Sequence, residues 1–76
     1  AMDYLKIDGS YMANLSKDAV NQAMVAAVVR LARTLNFRLI AEQVEDLSSL
    51  EAARGMGIDF AQGYAIGRPE PLRPAA

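Results

Sequence analysis

Arg38-Leu39-Ile40-Ala41-Glu42-Gln43-Val44-Glu45 is the stretch whose reading decides the fold of this 76-residue chain. Its centre, Leu39 to Val44, reads as a short strand that carries acidic residues at its C-terminal end. Before it, Val20, Met24, Val28, Leu31 and Leu35 recur at three- and four-residue spacing, with Val25 and Ala32 widening the stripe. That period predicts an amphipathic helix from Lys17 to Leu35, started by Ser16 or Asp18 and stopped at Asn36. After it, Asp46 or Ser48 offers a helix N-cap. Leu47, Leu50 and Met56 form a second, shorter stripe that ends near Gly55-Met56-Gly57. The strand is therefore flanked by helices on both sides.

Working outward, Tyr4-Leu5-Lys6-Ile7-Asp8 alternates polar and apolar residues and then meets Gly9-Ser10, which predicts a strand and a turn. Leu5 and Ile7 face one side of it; Tyr4, Lys6 and Asp8 face the other. Phe60 to Ile66 reads as a third strand, interrupted by Gly63. It is followed by Gly67-Arg68-Pro69-Glu70-Pro71 and a tail, residues 70–76, expected to fray. The order strand-helix-strand-helix-strand places the chain in the α/β class, with parallel strands joined by right-handed crossovers. Parallel sheets are buried on both faces, and two helices cannot cover both sides of three strands. The expected complement is further chain or a second copy.

Composition narrows the function classes. At 53% hydrophobic and 22% charged residues the chain is of globular type. It holds no Cys and no His, which excludes zinc ribbons, thiol redox chemistry and disulfide frameworks. A net charge of −1, with the basic residues dispersed, leaves no footprint for a nucleic-acid duplex. The longest apolar stretch, Ala23 to Val29, is far short of the roughly 20 residues that span a bilayer. A cytoplasmic location is the expectation.

In parallel α/β folds chemistry gathers at the carboxyl ends of the strands. Here the first strand brings Lys6 and Asp8 to that end, the second Glu42 and Glu45, and the third Gln62. Each also fits a plain structural role. Lys6 and Asp8 fit a strand-face ion pair, Glu42 an open face, and Gln62 a bulge. Glu45 and Asp46 fit a helix N-terminal acidic cluster. Taken together, carboxylates and an amide oxygen suit a hard cation such as Mg²⁺, Mn²⁺ or Ca²⁺. A lysine beside carboxylates can orient a water or stabilise phosphate charge, and metal-assisted phosphodiester hydrolysis uses such a set.

Three blocks of this sequence resemble the EAL family of cyclic-di-GMP phosphodiesterases. Asp3 with Tyr4-Leu5-Lys6-Ile7-Asp8-Gly9-Ser10 resembles its "D-x-L-K-I-D-x-S/R" strand. Ile40-Ala41-Glu42-Gln43-Val44-Glu45 resembles "I-A-E-G-V-E", and Gln62-Gly63-Tyr64 with Gly67-Arg68-Pro69 resembles "Q-G-Y…G-x-P". Their order and separation fit the family over nearly the whole chain. The resemblance implies a TIM-like (β/α)8 barrel, of which residues 1–76 are the C-terminal portion. It also implies hydrolysis of cyclic di-GMP to the linear dinucleotide with two Mg²⁺ or Mn²⁺ ions in the complete domain. By resemblance Lys6 holds the attacking water, Glu42 is the general base or its network partner and a metal ligand, and Gln62 completes the metal shell. Asp8 and Glu45 support the site.

The chain departs from the family in several places. The Glu-Ala-Leu strand, the asparagine and glutamate ligands of the middle strands and the Asp-Asp pair are not in this sequence, and Ala1-Met2 reads as a boundary. Gln43 stands where the family has Gly, and Asp46 where Thr is common. Three functions follow: part of a phosphodiesterase, inactive by itself; a degenerate domain that binds cyclic di-GMP without cleaving it; or a self-associating piece of barrel.

Overall fold

The computed structural model of the chain describes residues 3–63 and 66–72, without the side chains of 66–68. Strand β1 (Asp3–Ile7) leads through a 3-10 turn (Gly9–Tyr11) to helix α1 (Ala19–Leu35). Strand β2 (Phe37–Ala41), helix α2 (Leu47–Met56) and strands β3 (Phe60–Gly63) and β4 (Ile66–Pro71) follow. The sheet order is β1-β2-β3-β4. The pairs β1–β2 and β2–β3 are parallel, with Leu5 opposite Leu39 and Ile40 opposite Phe60. The expected strand-helix-strand-helix-strand order is thus present.

The fourth strand is an addition. β4 runs antiparallel to β3, with Ala61 opposite Glu70 and an irregular register near Gly63. It takes in Glu70 and Pro71 from the stretch read as a frayed tail, and Leu72 is buried beside it. Turn-type residues hid this strand. Proline removes a ladder donor and is tolerated on an edge strand, and β4 is an edge.

The helix ends follow their sequence signals. Asp18 caps α1 by accepting from the backbone N–H groups of Val20 (3.0 Å) and Asn21 (3.1 Å). Asn36 ends α1 in the left-handed region at φ 61°, which Asn tolerates better than branched residues do. Gly57 ends α2 at φ 92°. Asp46 caps α2, its Oδ1 accepting from the Ser49 backbone N–H and the Ser48 hydroxyl, both at 2.7 Å.

Those bonds, led by the one from the Ser49 backbone, hold the Asp46 carboxyl below its ordinary value of 3.8. A lowered folded-state value means that the ionised cap stabilises the fold above 3.8. The contribution fades as the pH falls through the lower folded value. Asp46→Ala should therefore lower the thermal midpoint at neutral pH, and its deficit against wild type should shrink below pH 3.8. A deficit constant from neutral pH to pH 2 would show that the cap is not electrostatic.

Both helices pack on one face of the sheet. Val25 and Ala32 of α1 and Ala53 of α2 share a core with Ile7, Leu39, Ala41 and Ala61. Met12 and Leu15, in the β1–α1 connection, are fully buried. Ser49 Oγ donates to the Met12 carbonyl at 3.2 Å and Gln22 Nε2 to the Leu15 carbonyl at 2.9 Å, which tie that connection to both helices.

The stripe expected to face the core divides. Val25, Ala32 and, in part, Val28 and Val29 face inward. Val20, Met24, Leu31 and Leu35 are exposed, Val20 at 68% and Leu31 at 55%. Leu47, assigned to the α2 stripe, is also exposed. A helix with apolar residues on both its inner and its outer face suits contacts on two sides, and among the described residues nothing covers Val20, Met24, Leu31 and Leu35.

Candidate active site

Strand pairing fixes which side chains share a face. With Lys6 opposite Ile40 and Ile40 opposite Phe60, the alternation puts Tyr4, Lys6, Ile40, Glu42, Phe60 and Gln62 on the side away from the helices. The rings of Tyr4 and Phe60 lie 5.9 Å apart there. Lys6, Glu42 and Gln62 stand at or just past the C-terminal ends of β1, β2 and β3. Three of the sequence-predicted residues are therefore gathered on one uncovered face, at one end.

Lys6 Nζ lies 3.9 Å from Glu42 Oε2. Their side chains are 59% and 37% exposed, and so open a pair is worth about 1 kcal/mol or less. Fold stability gives little reason to hold these two charges at the strand ends. Lys6 pairs with Glu42 across strands, in place of the Lys6–Asp8 pair that composition also allowed. Asp8 lies past the end of β1 and accepts from the Ser10 hydroxyl at 2.9 Å. Asp8 and Glu45 instead line a separate polar cleft together with Gly9, Gln43 and Asp46. They flank the Lys6–Glu42 pair without joining it.

The loop after β2 is stitched to both neighbouring strands. Glu42 N donates to the Ile7 carbonyl at 3.1 Å, and Val44 N donates to the Gln62 carbonyl at 3.0 Å. Between these bonds Gln43 turns the chain at φ 55°, in the left-handed region. That region favours glycine, and a residue with a Cβ held there costs on the order of 1 kcal/mol. The resemblance pattern places Gly at this position. Gly63 is required for a different reason: a Cβ on it would lie 2.7 Å from the Val44 carbonyl carbon and 2.8 Å from its nitrogen. Backbone cannot move aside cheaply, so Gly63 lets β3 approach the Glu42 loop.

Sequence reading missed Asp59. It is 6% exposed at the other end of the sheet, where β2–β3 pairing begins. Its Oδ2 accepts from the Leu39 backbone N–H at 2.9 Å and from Arg33 Nη1 at 3.2 Å, and Arg38 Nη1 lies 3.8 Å from Oδ1. Arg33 Nη2 also donates to the Gly57 carbonyl. At the N-terminal face of parallel strands such a cluster supports the fold and not the chemistry. An acid set between Ile58 and Phe60 was its one signal in sequence.

Residues 1–69 match the model of the family described as EAL domain. The chain belongs to the EAL domain family. Cyclic di-GMP phosphodiesterase PdeB of Shewanella oneidensis is 41% identical over 71 residues, 93% of this chain and 8% of that protein. PdeF of Escherichia coli, likewise named a cyclic di-GMP phosphodiesterase, is 43% identical over 92% of this chain and 9% of its own length. The EAL chain therefore spans less than a tenth of these two relatives.

Solved EAL structures superpose closely. The PaMucR phosphodiesterase in complex with c-di-GMP gives a TM-score of 0.78 at 39% identity, over 91% of this chain and 28% of that one. Klebsiella pneumoniae BlrP1 with manganese and cyclic di-GMP gives 0.82 at 31% identity, over 92% and 18%. A calcium complex of BlrP1 gives 0.82 at 30% identity, over 95% and 18%. The parallel strands and helices of this chain are thus an α/β fragment of the EAL barrel, a TIM-type fold.

Among the described residues no three carboxylates stand close enough to hold a metal ion. Glu42 and Gln62 are hard oxygen donors on one face, a donor type that fits part of the shell of a hard divalent cation but not the whole. No helix among the described residues is long and apolar enough to cross a membrane.

Proposed function

We propose that residues 1–76 are the C-terminal portion of one EAL domain that hydrolyses cyclic di-GMP to the linear dinucleotide in the cytoplasm. The observation that carries this reading is the placement of Lys6, Glu42 and Gln62 on the uncovered face at the strand C-terminal ends, with Lys6 3.9 Å from Glu42. In a closed barrel that face is the interior and that end is the mouth where substrates bind.

Glu42 and Gln62 would hold Mg²⁺ or Mn²⁺ with ligands from the rest of the domain. Bound metal of this kind lowers the pKa of a water and offsets phosphate charge. Lys6 is placed to hold the attacking water and to meet negative charge growing on the phosphate oxygens. Glu42, within reach of Lys6, is placed to accept a proton from that water. Asp8 and Glu45 shape the flanking loops.

Alone the chain lacks the remaining ligands, and we propose that it is inactive by itself. The rest of the barrel would cover Val20, Met24, Leu31 and Leu35 and the free edge of β1; without it, self-association would cover them. The test is calorimetric titration of the complete domain and of residues 1–76 with cyclic di-GMP, with and without Mn²⁺, followed by product analysis. Linear dinucleotide from the complete domain alone is the expected result. Binding without product from the complete domain would assign it as a receptor, and product from residues 1–76 would overturn the claim of inactivity.

A further inference from the structure

We infer that Gln43 is a positioning residue that locks the Glu42 loop onto the turn after β1 through Gly9, and so fixes Glu42 relative to Lys6. The inference rests on the reading of Lys6 and Glu42 as the reacting pair.

Two glycine-related facts carry it. Among the described glycines only Gly57 has a positive φ, so the backbone at Gly9 would accept any residue. Yet a Cβ on Gly9 would fall 2.5 Å from Gln43 Cβ and 2.6 Å from its Cδ, too close for either atom. The nearest obstacles at Gly9 all belong to the Gln43 side chain. Gly9 is therefore glycine because Gln43 lies over it. Gln43 in turn holds φ 55°, where its own Cβ is disfavoured. A disfavoured conformation persists only where its surroundings enforce it.

The surroundings are the two stitches on either side. The bond from Glu42 N to the Ile7 carbonyl ties the loop to β1, two residues before Gly9. The bond from Val44 N to the Gln62 carbonyl ties it to β3. Residue 43 must turn the chain from one strand to the other within a single residue. Its side chain then lies against Gly9, at the wall of the polar cleft. Glu42 is thereby held from the backbone on one side and by the Gln43–Gly9 contact on the next residue. Lys6 sits on β1 beside the same turn, so the contact links the two strands that carry the ion pair.

A double-mutant cycle in the complete domain tests this, using Gly9→Ala, Gln43→Gly and the pair together. Gly9→Ala should lower both the unfolding midpoint and kcat, and its effect should largely vanish when residue 43 is glycine. Gln43→Gly should relieve the backbone and leave the midpoint unchanged or raised. It should still lower kcat by about tenfold with KM within about twofold, because misplacement of a reacting group costs turnover before binding. Gln43→Met, of similar shape, should restore kcat. A purely structural role would move the midpoint and not this split.

Wild-type kcat in Gln43→Gly, or additive effects of the two substitutions, would overturn the inference while leaving hydrolysis in place. A wild-type domain without hydrolysis would instead overturn the functional reading. The cycle in unfolding midpoint would then still judge the lock: non-additivity keeps it and additivity removes it.

Discussion

Lys6→Met should reduce cyclic di-GMP hydrolysis by the complete domain by about 10²–10⁴-fold, the range for loss of a group that acts on the proton or charge of the reacting water. The fold should hardly register the change. The side chain is 59% exposed and its ion pair with Glu42 is open to solvent. A pair of that kind contributes about 1 kcal/mol or less, so the unfolding midpoint should move by a few degrees at most. Lys6→Arg should not rescue turnover, because a planar guanidinium cannot reproduce a compact ammonium at the same point. The check is steady-state turnover with Mn²⁺ alongside thermal unfolding. Activity within threefold of wild type in Lys6→Met would remove Lys6 from the chemistry. A collapse of the midpoint together with activity would assign Lys6 to the fold.

Asp59→Ala should show the opposite pattern, destabilising the domain by about 3 kcal/mol while sparing the site. The carboxylate is 6% exposed and accepts from the Leu39 N–H, a buried backbone donor that loses its partner in the variant. An unsatisfied buried donor costs about 1–3 kcal/mol, and a hydrogen bond to a charged group is worth about 1.5–3 kcal/mol. Arg33 and Arg38 are half-exposed and can turn to water, so they add less than a fully buried pair would. Chemical denaturation with linear extrapolation measures the difference. At a temperature where the variant remains folded, its turnover should stay close to wild type. A loss below 1 kcal/mol would mean that water replaces the carboxylate at Leu39, and that the sheet does not depend on Asp59.

These two residues show what sequence could reveal and what it could not. Lys6 was visible because a charge in an alternating strand, at the end where α/β folds gather their chemistry, is a local signal. Glu42 and Gln62 were visible for the same reason. Their common face follows from strand parity, which is written in sequence as soon as the register is known. Asp59 carried almost no such signal. Its partners are Leu39 and Arg38, brought to it by the pairing of β2 with β3, and Arg33, brought by the packing of α1 against the sheet.

The α1 stripe shows the same limit from another side. Its period announced a helix and placed its end at Leu35, and the capping residues Asp18 and Asn36 were legible too. Which apolar residues turn inward was not legible, since period alone cannot say how many neighbours a helix has. Val25 and Ala32 face the sheet, while Leu31 and Leu35 face out.

By itself, then, the amino-acid sequence determined the alternation of strands and helices, the helix ends, the absence of thiol and imidazole chemistry, and the family. These are set by local backbone preferences, periodicity and residue type. Only the tertiary structure decided that Lys6 meets Glu42 and not Asp8, that β4 folds back against β3, that Asp59 anchors the far end, and that the Gln43 side chain lies against Gly9. Each depends on atoms distant in sequence coming within a few ångströms, and such contacts are set by how the elements pack.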